Sequence, residues 1–315
     1  MSDVISDAVR KGYGSVAKSG LSSDQEGIKG IANAFGYSDE ELASIPAEAN
    51  MGLSCGNPVA MASIKQGETV VDLGAGGGLD VFLASKSVGP TGMAIGIDMT
   101  GDMVSLARKN AQKGGYENVK FYLAEIEAMP LRDASVDCII SNCVLNLCAD
   151  KDAALAEVFR VLKPGGRFAI SDIALKKALP EEIKKEVAAW TGCIAGALTV
   201  DENRAALERA GFGNVDIKDA HSDLNAYKDG GHAACCGPDS MADMSDGGSA
   251  GGGCCGEPEP APVKEESSCC GGGAEPDKSD AQVASDYHDT MSDLLDSFDV
   301  NEYAGSYKIF AVKPE

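Results

Sequence analysis

The chain has 315 residues, 44% of them hydrophobic, enough for an ordinary globular core in one large or two small domains. Its formal net charge of −22 repels phosphate backbones and anionic lipid, and Lys and Arg form no long run, so nucleic acid and membrane are excluded as partners. The opening MSDVISDAVRKGYG lacks the apolar core of a secretory signal, and no stretch approaches the roughly 20 apolar residues that span a bilayer, so a cytoplasmic protein is expected; it is taken to be a monomer.

Residues 1–54 read as a helical cap, with a short helix over 39–44 behind Ser38, a good N-cap. From Thr69 onward, short β-rich apolar runs alternate with amphipathic stretches. Strands are expected at 69–73, 93–97, 119–123, 136–141 and 167–171, and helices at 79–86, 101–113 and 152–161, the last stopped by the KPGG of 163–166. That alternation predicts an α/β fold, a parallel sheet with helices on both faces. A helical region at 180–189, a helix at 201–210 closed by Gly211 and a sixth strand at 214–218 follow. Between about 230 and 280 the chain is Gly, Ser, Pro, Glu and Asp with almost no large apolar side chains, a composition expected to stay disordered. Helical spacing returns at 285–298 and alternation at 306–312. The expected organisation is therefore a cap (1–54), a main domain (55–222), a Gly/Cys-rich insertion (223–284) and a helix and strand completing the fold (285–315).

Residues 69–80 read TVVDLGAGGGLD, a strand running into a glycine turn and a helix. Gly74, Gly76 and Gly78 permit positive φ and clear the way for a ligand against the backbone, while the helix start offers free N–H groups. The dinucleotide fingerprint would need glycine at 79, where this chain has Leu79. A second acid, Asp98, closes the next strand, where a carboxylate can accept hydrogen bonds from both hydroxyls of a ribose. Over 55–220 these features resemble the Rossmann-like class I S-adenosylmethionine methyltransferases. Their D-x-G-x-G-x-G stands here at 72–78 and their L-K-P-G-G at 162–166. The resemblance implies that Asp72, Gly74, Gly76, Gly78, Asp98, Met99, Ile126, Glu127 and Asn142 bind S-adenosylmethionine, with Glu125 also near the adenine and Tyr13 closing over the cofactor or packing the cap.

The chain carries 11 cysteines, an odd number in a chain read as cytosolic, which argues for thiol chemistry over a disulfide scaffold. Cys55, Cys143 and Cys193 fall before the domain, after the fourth strand and beyond the fifth, all able to reach the ligand-binding edge of the sheet. No Cys-x-x-Cys or Cys/His cluster of zinc type surrounds them. Cys138 and Cys148 read as small buried hydrophobes. The words NMGLSCGNP (50–58), SNCVLNL (141–147) and WTGCIAGA (190–197) resemble the arsenite methyltransferases. That resemblance implies that Cys55, Cys143 and Cys193 bind trivalent arsenic and receive the methyl group onto it. It also implies arsenite as substrate, a role in arsenic detoxification, and a thiol reductant, thioredoxin or glutathione, as co-substrate. Residues 1–54 contain no further cysteine, a departure from some members of that family. Two other readings stay open: a methyltransferase acting on carbon or oxygen of a small organic molecule, and a non-catalytic thiol-rich metalloid-binding protein. The adjacent pairs Cys235 and Cys236, Cys254 and Cys255, and Cys269 and Cys270 read as flexible accessory ligands that capture a thiophilic ion and pass it inward.

Overall fold

The computed structural model describes residues 2–179, 193–194, 196–227 and 299–315. The helices expected at 180–189 and 285–298, the low-complexity stretch 230–280 and its six paired cysteines lie outside the described residues.

Three helices open the chain: α1 (Ser2–Lys18), α2 (Glu26–Ala34) and α3 (Asp39–Ala43). Ser38 starts α3 through a reciprocal cap, its Oγ accepting from the Glu41 N–H at 3.1 Å while Glu41 Oε2 accepts from the Ser38 N–H at 2.8 Å. After the single turn α4 (Pro58–Met61) the sheet begins. Its first half alternates as expected: β1 (Thr69–Leu73), α5 (Leu79–Val88), β2 (Met93–Asp98), α6 (Gly101–Gly114), β3 (Val119–Leu123), β4 (Val136–Asn142), α7 (Lys151–Val161) and β5 (Leu162–Leu175). Then come α8 (Val200–Arg209), β6 (Gly213–Asp219), the short α9 (Val300–Tyr303) and β7 (Ala304–Val312).

The strands lie in the order β3-β2-β1-β4-β5-β7-β6. The first five are parallel, whereas β7 runs antiparallel to both β5 and β6, so the sheet is mixed and not wholly parallel as expected. The helix before KPGG ends at Val161 as expected, but the 163–166 turn is not a break between elements. It lies inside β5, which begins at Leu162 rather than Arg167, with Gly165 at φ +73° bulging the strand. The Gly165 N–H donates to the Lys313 carbonyl and the Lys313 N–H to the Gly166 carbonyl, each at 2.9 Å, so the bulge stays paired to the end of the chain. Pro164, lacking an N–H, is tolerated at such a bulge.

Hydrophobic residues fill both faces. Val71, Leu73, Ile139, Phe168 and Ile170 pack toward α7 and α8, and Val70, Cys138, Ile140 and Ala169 pack toward α5 and α6. Cys138 is wholly buried, as expected of a small core hydrophobe, and burial pushes its thiol up to about 12. Among the described residues no helix is long and apolar enough to cross a membrane.

Gly96, in the middle of β2, shows how tightly the strands press under the glycine turn: a Cβ there would lie 2.6 Å from Phe121 Cδ1 and 2.7 Å from Ala75 Cβ. Gly96→Ala should therefore destabilise the fold by about 1–3 kcal/mol through overpacking, read as a lowered thermal midpoint.

Candidate functional site

Strand order reverses between β1 and β4, and a crevice opens where the carboxyl ends of these neighbours part. It holds a cavity of about 560 Å³ roofed by α1, whose Arg10 forms an ion pair with Glu125 across the mouth. Gly74 and Gly76, at φ +67° and +50°, carry the chain along the cavity floor. A Cβ on Gly74 would collide with Val144, so only glycine lets the turn and the segment after β4 meet. Gly78 does not face the cavity. It caps α5 at φ +98°, against Phe82 and Phe121.

Asp98 anchors the turn: its Oδ2 accepts from the Gly76 N–H at 2.9 Å and its Oδ1 from the Thr100 N–H at 2.8 Å. Asp72, Asp98, Met99, Ile126, Glu127 and Asn142 all border the cavity, as does Tyr13 of α1. Burial raises the Asp72, Asp98 and Glu127 carboxyls above the usual range. For Asp72 the Asp80 and Asp98 charges add to it. Carboxylates confined in this way prefer a cationic partner to water-poor isolation. The cavity thus fits a nucleoside ligand bearing positive charge, which matches the sulfonium and ammonium of S-adenosylmethionine.

Beside the cavity lies a buried polar network invisible in the sequence. Tyr37 Oη donates to Asp80 Oδ1 at 2.7 Å, and the Asn142 amide reaches Asp80 Oδ2 at 3.2 Å, Tyr37 Oη at 2.9 Å and the Gly56 carbonyl at 2.7 Å. Burial pushes Asp80 up to about 7 against the opposing hydrogen bonds from Tyr37 and Asn142. Asn142 Oδ1 in turn accepts from the Cys55 N–H at 3.0 Å. Asn142 borders the cavity as the motif implied, but its amide is engaged in holding the Cys55 loop.

Cys55, Cys143 and Cys193 meet in one buried apolar cluster. Cys55 and Cys143 form a disulfide pair with Cα atoms 5.8 Å apart, and the Cys193 thiol donates to the Cys143 carbonyl at 2.8 Å. Cys143 borders the cavity, while Cys55 and Cys193 stand behind it. Both Cys143 and Cys193 sit at positive φ, +57° and +64°, a conformation costly for a residue with a Cβ and found where surrounding structure imposes it. Burial drives the Cys193 thiol well above its usual range, the Asp172 charge adds to this, and a hydrogen bond with Tyr13 opposes it. In this paired state the three sulfurs are not a ligand set, and among the described residues no group of three His, Cys, Asp or Glu could hold a metal ion. Cys148 lines the cavity and is 8% exposed, its thiol pushed up to about 12 by burial. Sequence reasoning missed Tyr37, Asp80, Ser306 and Tyr227. The last two reach Cys55 from β7 and from the segment after β6, with Ser306 Oγ donating to the Cys55 carbonyl at 2.6 Å.

A family model described as a methyltransferase domain matches residues 64–211, the segment that builds the crevice. Residues 64–211 have the fold of a methyltransferase domain. Its sheet and crevice are those of the class I S-adenosylmethionine methyltransferases. The chain is 46% identical over 198 residues to an arsenite methyltransferase of Halobacterium salinarum, covering 63% of this chain and 50% of that protein. It is 38% identical over 152 residues to the human arsenite methyltransferase, covering 45% of this chain and 40% of that one. The chain thus spans half or less of the length of these curated relatives. Among solved structures it resembles an arsenic (III) S-adenosylmethionine methyltransferase from Chlamydomonas reinhardtii, with a TM-score of 0.52, 25% identity, and coverage of 91% of this chain and 73% of that one.

Two buried acids of this methyltransferase fold give stability a definite pH slope. Burial pushes Asp172 up to about 7, opposed by the Ile173 N–H and the Lys151 charge, and Asp80 stands at a similar value. A carboxyl that titrates near 7 in the fold and near ~4 in the unfolded chain keeps its proton on folding between those values. Its contribution is full below the lower value and is lost as pH rises through the upper one. The thermal midpoint should fall between pH 5 and pH 8, on the order of several degrees, and Asp172→Asn should flatten that slope. An unaltered slope in the variant would contradict the assignment.

Proposed function

We propose that this chain transfers a methyl group from S-adenosylmethionine to trivalent arsenic held by Cys55, Cys143 and Cys193, in the service of arsenic detoxification. The observation that carries the reading is the convergence of three cysteines, distant in sequence, into one buried cluster beside the crevice of a methyltransferase domain. The names borne by the relatives point the same way.

The residues present fit the cofactor. Gly74 and Gly76 would leave its path clear of side chains, Asp98 would offer a carboxylate to the ribose, and Met99, Ile126 and Glu127 would lie beside the adenine. Asp72 complements its positive charge, and Gly78 shapes the turn from below. When bound, the cofactor supplies an electrophilic methyl group on a sulfonium. The protein has little else to provide. Arsenic(III) bound by soft thiolates keeps a lone pair, so no general base is needed, and the gain comes from holding substrate in line. The apolar surroundings of Cys143 and Cys193 exclude water from that substrate.

Cys55 and Cys143 must be opened before they can bind arsenic. A dithiol reductant such as thioredoxin, or two molecules of glutathione, passes two electrons and two protons to the pair and leaves as its own disulfide. We place this chemistry in the cytoplasm and in a monomer. The pairs Cys235 and Cys236, Cys254 and Cys255, and Cys269 and Cys270 are proposed as accessory ligands that capture arsenite and pass it inward. Their flanks support this. Leu224 and Val300 belong to the same apolar cluster as Cys55, and Asn301 ties the flanks together, its Nδ2 donating to Asp223 Oδ1 at 2.7 Å and its Oδ1 accepting from the Leu224 N–H at 3.1 Å.

The deciding assay incubates the protein with methyl-labelled cofactor, arsenite and a thiol, and looks for methylated arsenic. Transfer to a small organic acceptor alone would favour a carbon or oxygen methyltransferase, and arsenite binding without turnover a non-catalytic metalloid-binding protein. Cys193→Ser should lower turnover at least a hundred-fold, on the order of the loss expected when substrate is no longer held in line, while cofactor affinity is unchanged. Full activity in that variant would refute the assigned role. Deleting residues 230–280 should raise the arsenite concentration needed for half-maximal rate without lowering the maximal rate. An unchanged requirement would sink the hand-off.

A further inference from the structure

We propose that Tyr227 is a working part of the thiol site, its hydroxyl serving as the hydrogen-bond donor to the Cys55 sulfur once that sulfur is free to bind substrate. This rests on the reading of Cys55 as a substrate thiol.

Tyr227 follows β6 and is far from Cys55 in sequence, yet its Oη lies 2.7 Å from the Ser54 carbonyl oxygen and 3.3 Å from Cys55 Sγ. One hydroxyl has one proton and, among the described residues, faces two acceptors, the Ser54 carbonyl and Cys55 Sγ. While Cys55 is paired with Cys143 its sulfur is neutral and a weak acceptor, so the proton belongs to the Ser54 carbonyl. A Cys55 thiolate is a far stronger acceptor, and hydrogen bonds to charged groups exceed neutral ones. Turning the proton from one partner to the other requires only rotation about the phenolic C–O bond. The ring need not move, held as it is against Phe35 with centroids 5.1 Å apart.

The bond therefore distinguishes the two states of Cys55. It adds little to the paired form and stabilises the sulfur that carries charge, which is the form that displaces a hydroxyl or thiolate from arsenic(III) and keeps its place. In the paired form the hydroxyl holds the Ser54 carbonyl, but the rest of the backbone around Cys55 has other anchors. Asn142 holds the Cys55 N–H and the Gly56 carbonyl, and Ser306 holds the Cys55 carbonyl. Removing the hydroxyl should leave the loop in place, and Tyr227 does not border the cavity assigned to the cofactor. Tyr227 is a positioning residue for Cys55, not a catalytic group.

The test compares Tyr227→Phe and Tyr227→Ala with the wild type, all reduced. Arsenite affinity is read from the near-ultraviolet absorption of arsenic–sulfur bonds, cofactor affinity by calorimetry, and iodoacetamide capture of Cys55 relative to Cys193 by peptide mass. In Tyr227→Phe, arsenite affinity should fall about ten-fold, the range of a lost hydrogen bond to a charged group, with cofactor affinity unchanged. Capture of Cys55 should slow several-fold while that of Cys193 stays the same. An unchanged capture ratio in Tyr227→Phe overturns the proposal, as does a parallel change at both cysteines, or a loss seen only in Tyr227→Ala, which would reduce the residue to packing. If the wild type shows no arsenic–sulfur absorption, the proposed function fails, and the capture ratio still decides the role of Tyr227.

Discussion

Everything at the site depends on β1 and β4 lying side by side and parallel, so that their carboxyl ends deliver two chain segments into one crevice. Leu73 stands opposite Ser141, and one step beyond each the chain turns out as Gly74 and as Asn142 followed by Cys143. The two exits are so close that a Cβ on Gly74 would strike Val144. A glycine at 74 is therefore demanded twice, once by its positive φ and once by the neighbouring loop. The same closeness puts the floor of the proposed cofactor cavity within a residue or two of Cys143. The proposed donor and acceptor sites are adjacent because two strands are.

Around that junction the protein concentrates negative charge and then removes water from it. Asp72, Asp80 and Asp98 are forced above the ordinary carboxylate range chiefly by burial, an arrangement that costs stability unless a cation offsets it. Such strain is retained where a positively charged ligand relieves it. The thiols lie in the opposite environment, an apolar cluster in which burial raises Cys193. The polar network of Tyr37, Asp80 and Asn142 links the cavity wall to the backbone of Cys55.

Much of the fold was legible because it follows from local rules. Strands β1 to β4 and helices α5 to α7 announced themselves through period, caps and glycine breaks, and their ends moved by no more than two residues. The misreadings came where a long-range pairing overrode a local signal. KPGG does stop α7 at Val161, but it also reads as a turn before the strand, whereas Lys313, from far along the chain, pairs across it and starts β5 at Leu162 through the bulge. The antiparallel direction of β7 likewise has no mark in its own residues. Asn142 is instructive at the site itself: the motif puts it at the cavity wall, and it does border the cavity, but its amide serves the Cys55 loop.

The sequence by itself determined the glycine turn, the acid at the end of β2 and the three cysteine words, because each is a short pattern whose chemistry is complete within a few residues. Only the tertiary structure decided which groups surround those patterns. Tyr227 and Ser306 reach Cys55 from segments with no recognisable motif, and a single hydroxyl at hydrogen-bonding distance leaves no periodicity, composition or spacing to read. The pairing of Cys55 with Cys143 has the same origin: sulfurs 88 residues apart are brought together by the parallel sheet that sets β4 beside the loop before β1, a matter of topology and not of local sequence.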